Sequence, residues 1–273
     1  MQMERLDFSR IQAALTTRIF GRNLVILPRT GSTNDVAKDL AKQGAPEGTV
    51  VLADEQATGR GRLGRHWLAP PGTCLLCSIL FRPDFPAVQA QRLTMLCAMA
   101  MADAVDQIAA LRVTLKWPND LIVETRISDP LSSRWRKLAG VLTETEVKGD
   151  RLRSVVVGIG VNVNVEPDML PALAPDATSI LAETGREVDR VALLAALMEG
   201  VEDRHGRLQA GENPHAEWAS RLTTLGQVVQ VATASGPLTG VAESVDEDGA
   251  LLLRAPDGGL HRLAAGDVTL ARP

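Results

Sequence analysis

The sequence lacks the features that would place its 273 residues in a membrane, on a secretory route or on nucleic acid. No uninterrupted apolar run approaches 18 residues, so no transmembrane helix is predicted. Residues 1–12 contain no apolar segment followed by a cleavage site, unlike a secretory signal. The formal net charge is −4, whereas a general nucleic-acid binder is usually basic. We therefore expect a cytoplasmic protein with neither a membrane nor DNA as partner.

Cysteine is also scarce, since the chain contains only Cys74, Cys77 and Cys97. The first two have the C-x-x-C spacing of zinc and redox sites, but they lie in an apolar run and no second Cys/His pair follows. All three are interpreted as buried free thiols, which agrees with a reducing, cytoplasmic compartment.

Several catalytic motifs are missing as well. The four histidines show neither the H-x-x-x-H nor the H-E-x-x-H spacing of a metal site. No G-x-S-x-G nucleophile elbow and no G-x-x-x-x-G-K-[ST] phosphate loop occurs. Nucleophilic hydrolysis and a Walker-type ATPase are therefore unsupported.

The sequence does contain a segment dense in glycine and arginine. Residues 59–65 hold three glycines and three arginines, and Trp67 follows. Glycine lets backbone N–H groups approach a ligand closely, and arginine offers a planar fork of donors to carboxylate or phosphate oxygens. Residues 59–64 also satisfy the dinucleotide fingerprint G-x-G-x-x-G, but Pro70 and Pro71 exclude the helix that this fingerprint must open. The segment is interpreted as an anion-binding loop, the alternative being a solvated surface loop.

Three further clusters place polar or small residues at or within apolar strands. Residues 116–120 read KWPND, residues 136–140 read RKLAG and residues 158–164 read GIGVNVN. Each has an ordinary structural alternative, namely an Asx-type turn, a solvated lysine at a strand start and a β-bulge. Together the clusters offer cations, amides and glycines without an obvious nucleophile. This combination is typical of an enzyme that joins an anionic substrate to a nucleotide by positioning and charge neutralisation.

The pattern of predicted elements changes near Leu225. Before it, apolar strands alternate with helical segments. After it, short alternating segments separated by turns predict a small antiparallel barrel. The chain is therefore divided into residues 1–225 and 226–273. Helices are predicted at residues 1–23, 36–43, 87–110, 188–210 and 214–225, strands at 24–28, 49–55, 73–81, 111–116, 121–124, 138–147 and 154–165, and loops at 125–135 and 167–175.

Five motifs in this order resemble those of biotin–protein ligase (biotin–[acetyl-CoA-carboxylase] ligase): GSTN at 31–34, GRGRLGRHW at 59–67, KWPND, RKLAG and GIGVNVN. The resemblance runs from about Leu24 to the C-terminus. It implies an α+β fold, with a mixed-sheet, class II synthetase-like catalytic domain and a small C-terminal SH3-like β-barrel. It also implies two steps: biotin and ATP give biotinyl-5′-AMP and pyrophosphate, and a carrier-protein lysine then takes the biotin and releases AMP.

The resemblance implies roles for the matching residues. Lys137, Arg62 and Lys116 are expected to act in catalysis. Biotin binding is implied for Ser32, Thr33, Asn34, Gln56, Gly59, Arg60, Arg62, Lys137, Gly140 and Gly158. Contacts to ATP and its phosphates are implied for Arg62, Arg65, Trp67, Lys116, Asn119, Asp120, Lys137 and Asn162. Asp120 is expected to hold Mg²⁺, and the loop 167–179 to cover the adenine.

The implied cofactors are ATP and Mg²⁺, with biotin as substrate and a biotin carboxyl carrier domain as protein partner. A homodimer through an edge or a face of the sheet is compatible with the sequence. Only about 23 residues precede the first core strand, so we expect no N-terminal helix-turn-helix. The chain departs from the family pattern in a longer hairpin at 125–135 and in VTLARP, where Arg272 does not align clearly with the family's C-terminal nucleotide-contacting arginine.

Other functions stay open at this point. A lipoate or octanoate ligase or transferase has a related fold, but the combination of GRGRxGRxW and KWPND argues against it. A nucleic-acid-binding regulator would use the arginine loop and the barrel, and the net charge opposes it. A non-catalytic biotin carrier would need a Met-Lys-Met acceptor, which is absent.

Overall fold

The computed structural model describes residues 5–124, 135–149, 151–233, 236–264 and 266–270. The α-helices in these ranges are α1 (Phe8–Ala14), α2 (Thr33–Lys42), α3 (Gln91–Ala109), α4 (Leu170–Leu173), α5 (Ile180–Thr184), α6 (Arg190–Gln209) and α7 (His215–Ser220), and 3₁₀ helices span Arg62–Gly64 and Ala87–Ala90. The strands are β1 (Leu24–Leu27), β2 (Val50–Ala53), β3 (Cys74–Phe81), β4 (Thr114–Lys116), β5 (Asp120–Glu124), β6 (Trp135–Lys148), β7 (Arg151–Asn162), β8 (Val228–Thr233), β9 (Gly236–Val245), β10 (Leu251–Arg254), β11 (Leu260–Leu263) and β12 (Asp267–Leu270). The predicted loop 125–135, apart from its last residue, and Arg272 lie outside the described residues.

The strands form two sheets. The larger has seven strands in the order β1-β2-β3-β7-β6-β5-β4. Its β1 and β2 run parallel and its other neighbours antiparallel, so this sheet is mixed. The smaller is antiparallel throughout, in the order β11-β10-β9-β8-β12. The predicted fold class, a mixed-sheet α+β protein with a separate small C-terminal β unit, is confirmed.

One face of the large sheet carries the main core. Side chains alternate between the two faces of a strand, and on β3 the residues Leu75, Cys77, Ile79 and Phe81 point into this core. The helices α3 and α6 pack against each other over the same face. No helix in the described ranges is long and apolar enough to cross a bilayer.

The three cysteines are free and buried, as predicted. Burial raises the pKa of the Cys74 thiol to about 11 and that of the Cys77 thiol to about 12. Such thiols stay protonated at neutral pH, and only the thiolate is a good nucleophile. The cysteines therefore serve packing.

On the opposite face of the sheet, α2 covers only one end of the strands. There α2 packs on Leu80 and Val156. Further along the same face the strands carry Ser78, Gly158 and Gly160, and Ser78 pairs directly with Gly158. Because these side chains are small or absent, no apolar layer fills the space, and a cavity opens over the middle strands.

The N-terminal helix is shorter than the predicted 1–23. It ends at Ala14. Glu202 of α6 accepts hydrogen bonds from the three N–H groups of residues 18–20, at 2.7, 2.8 and 3.2 Å. A carboxylate from a distant helix thus satisfies donors that a continued helix would have bonded internally.

The predicted loop 167–175 is also wrong in part, because it contains the helical turn α4. Pro171 lies in the first turn, where a missing N–H leaves no bond unmade. Leu170 packs with Val165 and Leu76 under this turn. Burial of an apolar side chain therefore orders a segment whose prolines alone predict no helix.

Trp117 connects the two sheets. Its buried indole Nε1 donates to the carbonyl oxygen of Gly249 at 2.9 Å, and its backbone N–H donates to Thr224 Oγ1 at 2.9 Å. The Trp117–Pro118 peptide bond is cis. The two hydrogen bonds of Trp117 hold the small sheet against the β4–β5 turn, which brings β12 to the mouth of the cavity.

Candidate active site

A cavity of about 420 Å³ lies over the middle strands. This volume is in the range of small-molecule sites. Its walls are the N-terminus of α2, the loop 60–68, residues 173–177 and β12. Every residue predicted for the site except Gly59 lines it: Ser32, Thr33, Asn34, Gln56, Arg60, Arg62, Arg65, Trp67, Lys116, Asn119, Asp120, Lys137, Gly140, Gly158 and Asn162.

Gly59 lies behind the wall of the cavity. Its carbonyl oxygen accepts a hydrogen bond from the Trp67 N–H at 2.8 Å. A Cβ at this position would lie 2.5 Å from the Trp67 carbonyl oxygen. The glycine lets the two arms of the loop approach each other, and its contact with biotin stays a prediction.

The N-terminus of α2 forms a polar end of the cavity. Ser32 is the N-cap, and its side chain makes no hydrogen bond to the helix. Thr33 donates through its N–H to Gln56 Oε1 at 2.7 Å. Ser78 Oγ lies 2.7 Å from Thr33 Oγ1 and donates to Asn34 Oδ1 at 2.6 Å. This network of hydroxyls and amides suits a neutral ligand group that both donates and accepts hydrogen bonds.

The floor of the cavity consists of glycines on β6 and β7. Gly140 pairs with Gly160. A Cβ on Gly158 would overlap Asn34 Oδ1, and one on Gly160 would lie 2.7 Å from Trp67 Cε2. The strand pairing is regular at these positions. Close approach of neighbouring side chains therefore requires the glycines, and the β-bulge that the sequence left open is excluded.

Trp67 forms the roof above this floor. A Cβ on Gly140 would lie 3.3 Å from its Cζ3, and Lys137 Nζ lies 5.8 Å from the ring centroid. The indole Nε1 is buried without a hydrogen-bond partner in the part of the chain that the structure describes. An unpaired buried donor costs about 1–3 kcal/mol. A ligand acceptor at this point would remove that cost.

The other end of the cavity is cationic. Lys137 Nζ forms an ion pair with Asp120 Oδ1 at 2.6 Å. Arg62 Nη1 donates to Asn119 Oδ1 at 3.4 Å, and Arg62 forms no ion pair with any described carboxylate. Burial lowers the pKa of Arg62, an effect that the charge of Asp120 opposes. Since arginine stays protonated in proteins, Arg62 is a partly buried positive charge that an anionic ligand can neutralise.

Arg60 and Arg65 are engaged by carboxylates. Both terminal nitrogens of Arg60 bind Asp35, at 2.6 and 2.7 Å. This contact lowers the pKa of Asp35 to about 2 and raises the pKa of the arginine. Arg65 forms an ion pair with Asp267 of β12, which raises the pKa of Arg65. The protein itself thus balances both charges, and the two ion pairs fasten the loop to α2 and to the small sheet.

The remaining predicted groups hold neighbouring segments. Asn119 Nδ2 donates to a carbonyl oxygen of β6 at 2.5 Å. Asn162 Nδ2 donates at 2.9 Å to the carbonyl of Thr178, in the segment expected to cover the adenine. Lys116 Nζ lies 5.6 Å from the ring centroid of Trp135. The roles of these side chains toward a nucleotide stay predictions.

Asp120 is the predicted Mg²⁺ ligand. Among the described residues, no group of three or more His, Cys, Asp and Glu side chains is arranged to hold a metal ion. Mg²⁺ commonly binds one or two carboxylates together with substrate phosphates. Three carboxylates line the cavity, those of Asp120, Asp176 and Asp267. Asp120 is paired with Lys137 and Asp267 with Arg65. This arrangement fits a cation that enters with a polyphosphate better than a resident metal centre.

Sequence reasoning missed three residues around the cavity: Ser78, Glu144 and Asp267. Ser78 is the only hydroxyl in the apolar strand β3, and that signal could have identified it. Glu144 accepts a hydrogen bond from Asn34 Nδ2 at 2.7 Å, although 110 positions separate the two residues. No local pattern reveals a contact of this kind, or that of Asp267 with the loop.

Two family models match the chain. The model described as the biotin/lipoate A/B protein ligase family matches residues 26–162, and the model described as the biotin protein ligase C terminal domain matches residues 224–270.

Relatives align along most of the chain. The bifunctional ligase/repressor BirA of Bacillus subtilis (strain 168) is 33% identical over 269 residues, which are 97% of this chain and 79% of that protein. The biotin--[acetyl-CoA-carboxylase] ligase of Paracoccus denitrificans is 35% identical over 240 residues, 85% of this chain and 95% of that protein. The structure of the biotin protein ligase from Aquifex aeolicus in complex with biotin and ATP matches with a TM-score of 0.73 and 27% identity, covering 92% of this chain and 100% of that one.

Proposed function

The chain belongs to the biotin/lipoate A/B protein ligase family, and we infer that it is a biotin–protein ligase. It activates biotin with ATP to biotinyl-5′-AMP and transfers the biotin to a lysine of a carrier domain. The observation that carries this function is one cavity with a neutral hydrogen-bonding end at Asn34 and Gln56 and a cationic end at Arg62 and Lys137. The two ends of biotin are complementary to these: its ureido ring is uncharged and forms hydrogen bonds, and its carboxylate is negatively charged.

The first step joins two anions. A carboxylate oxygen of biotin attacks the α-phosphorus of ATP, the bond to the β-phosphate oxygen breaks, and pyrophosphate leaves. We propose that Arg62, Lys116 and Lys137 reduce the repulsion and stabilise the charge that develops on the phosphate oxygens. A hydrogen bond to a charged group contributes about 1.5–3 kcal/mol. Loss of Arg62 or Lys137 should therefore slow adenylation at least tenfold.

The second step forms the amide. The lysine amine of the carrier attacks the acyl carbon of the mixed anhydride, the bond to the AMP oxygen breaks, and AMP leaves while the amine loses a proton. Before the carrier arrives, water is the competing nucleophile. We propose that the loop 59–67 covers the intermediate and excludes water. The ion pair between Arg65 and Asp267 supports this role, because it ties the loop across the mouth of the cavity.

ATP is the second substrate, and we propose that Mg²⁺ enters with it. Asp120 would hold the cation beside the polyphosphate, where it would supply charge neutralisation for the departing pyrophosphate. The acceptor is proposed to be a lysine of a biotin carboxyl carrier domain, as in acetyl-CoA carboxylase. The reaction is proposed to take place in the cytoplasm.

The limits of the proposed domains are residues 1–225 for catalysis and 226–273 for the C-terminal unit. The start of β8 at Val228 and the match of the second family model from residue 224 support this division. No DNA binding is proposed for these residues, and a mobility-shift assay over a series of salt concentrations tests that point. A homodimer is a further prediction, which sedimentation with and without biotin and ATP tests.

Lipoate or octanoate is the alternative acid. Both have a carboxylate that would suit Arg62 and Lys137, but neither has a ureido group for Asn34 and Gln56. The apolar end of either acid would cover these polar groups without offering them a hydrogen bond, which discriminates against it. The names and bound ligands of the aligned relatives also favour biotin.

The test is the exchange of pyrophosphate into ATP with Mg²⁺, compared for biotin, lipoate, octanoate and no acid. Exchange with biotin alone is the expected result. Exchange with lipoate or octanoate alone would assign the chain to the alternative. Absence of exchange with every acid would refute the adenylation step.

A further inference from the structure

Glu144 lies on β6 directly behind the polar end of the cavity. Its carboxylate accepts from Asn34 Nδ2 at 2.7 Å, lies 2.7 Å from Lys38 Nζ and lies 3.1 Å from Arg60 Nη2. It does not line the cavity, whereas Asn34 and Arg60 do. A single carboxylate therefore contacts both a wall residue of the pocket, Asn34, and an arginine of the loop, Arg60.

The contact decides which way the Asn34 amide faces. A carboxylate oxygen only accepts hydrogen bonds, so the NH₂ end of the amide must point toward Glu144. The same NH₂ group lies 3.3 Å from the carbonyl oxygen of Leu142. The amide oxygen is left to accept from Ser78 at 2.6 Å. If the amide rotated by 180°, its oxygen would face two acceptors, which is unfavourable.

The contact also holds the loop. Arg60 is bound by Asp35 and Glu144 together, and Lys38 lies between the same two carboxylates. Burial opposes ionisation of Glu144, but hydrogen bonds from Lys38 and Asn34 outweigh it, and the pKa of the carboxyl lies below its ordinary value. At neutral pH two carboxylates and two cations therefore form a balanced cluster where the loop meets the pocket.

We propose that Glu144 is a positioning residue that couples the head-group end of the pocket to Arg60 of the loop. It orients the Asn34 amide for the ligand and fixes the loop in the arrangement that covers the ligand. This role rests on the proposed function, because its readout is the affinity for biotin.

The test compares Glu144→Gln with Glu146→Gln in biotin-dependent pyrophosphate exchange. Glu144→Gln keeps the shape of the side chain, but the NH₂ group of glutamine replaces one of the two acceptor oxygens that face the donors of Asn34, Lys38 and Arg60. Glu146 lies two residues further on the same strand and contacts Arg153 and Ser154, so it is a matched control. Glu144→Gln should raise the KM for biotin roughly tenfold, with the KM for ATP changed less than twofold. Glu146→Gln should change neither.

A purely structural role predicts a different result. It would lower the melting temperature or the active fraction and would leave the KM for biotin unchanged. An unchanged KM for biotin in Glu144→Gln, or an equal rise in the KM values for biotin and ATP, would overturn the positioning role. Exchange by the wild type with biotin would still support the proposed function in that case. If the wild type itself shows no exchange, the proposed function fails and this role fails with it.

The coupling to the loop is tested with Arg60→Met and the double variant. If the two residues act as one unit, the double variant should have a KM for biotin no higher than the worse single variant. Multiplicative effects of the two substitutions would overturn the coupling. Glu144→Asp should recover part of the affinity, because the shorter side chain keeps its charge.

Discussion

Gly158 provides the sharpest test of how the cavity is built. In Gly158→Ala the new Cβ would overlap Asn34 Oδ1 and lie 2.9 Å from Asn34 Cγ, whereas ordinary contacts begin near 3.4 Å. Asn34 must therefore move away by at least half an ångström. It is held on both sides, by Ser78 at 2.6 Å and by Glu144 at 2.7 Å. Weakening one neutral and one charge-assisted hydrogen bond costs about 2–4 kcal/mol. If this cost appears in binding, the affinity for biotin falls roughly 30- to 700-fold.

Calorimetric titration with biotin measures the affinity, and thermal unfolding shows how much of the cost falls on stability. Gly206→Ala is the control, since a Cβ there meets no atom within 4 Å and the residue lies inside α6. That control should bind biotin as the wild type does and should be slightly more stable, because alanine has the higher helix propensity. An affinity of Gly158→Ala within threefold of wild type would refute the reasoning that the Asn34 amide is held in place at this wall.

Three further predictions concern the loop, acid stability and a buried ion pair. Arg62→Gly should release biotinyl-5′-AMP into solution, because the loop loses its hold on the phosphate; retention equal to wild type, measured by chromatography of the filtrate, would exclude this role. Asp35 has a pKa of about 2 against an ordinary 3.8, so its stabilisation is present above pH 4 and is lost as the pH falls toward 2. Above pH 4 the wild type should be more stable than Asp35→Asn by less than about 1 kcal/mol, because the ion pair with Arg60 is half exposed. The unfolding free energies of the two proteins should converge as the pH falls from 4 toward 2. Arg190→Met should destabilise the fold by about 3–5 kcal/mol in urea titrations, since it leaves Asp54 buried without its partner at 2.9 Å; a loss below 1 kcal/mol would contradict this.

Local chemistry predicted much of the fold. Ser32 and Gly44 bracket the amphipathic helix α2, and the apolar runs before and after the glycine–arginine loop form β2 and β3. These elements are predictable because caps, turns and side-chain periodicity act within a few residues. The change to short alternating segments after Leu225 likewise indicated the small antiparallel sheet.

The prediction failed where a distant group decides the local conformation. α1 ends at Ala14, and Glu202, far away in sequence, bonds the N–H groups of residues 18–20 that a longer helix would have bonded internally. α4 forms because Leu170 is buried beneath it. Neither partner can be identified from the segment itself, and only packing against the rest of the chain brings them together.

The candidate site divides in the same way. The residue types and their order along the chain determined which functional groups the site contains. These are arginines that can bind an anion, amides that can bind a neutral head group, and glycines where a side chain would collide with its neighbours. Strand pairing alone decided that Ser78 lies opposite Gly158 and that Gly140 lies opposite Gly160, which makes room on the sheet for the side chains of Asn34 and Trp67. Tertiary contacts alone decided that Arg60 is held by Asp35 and Glu144 while Arg62 keeps an unbalanced charge. The reason is physical: a side chain's chemistry is set by its covalent structure, whereas its burial, partners and net charge depend on residues that only the folded chain places beside it.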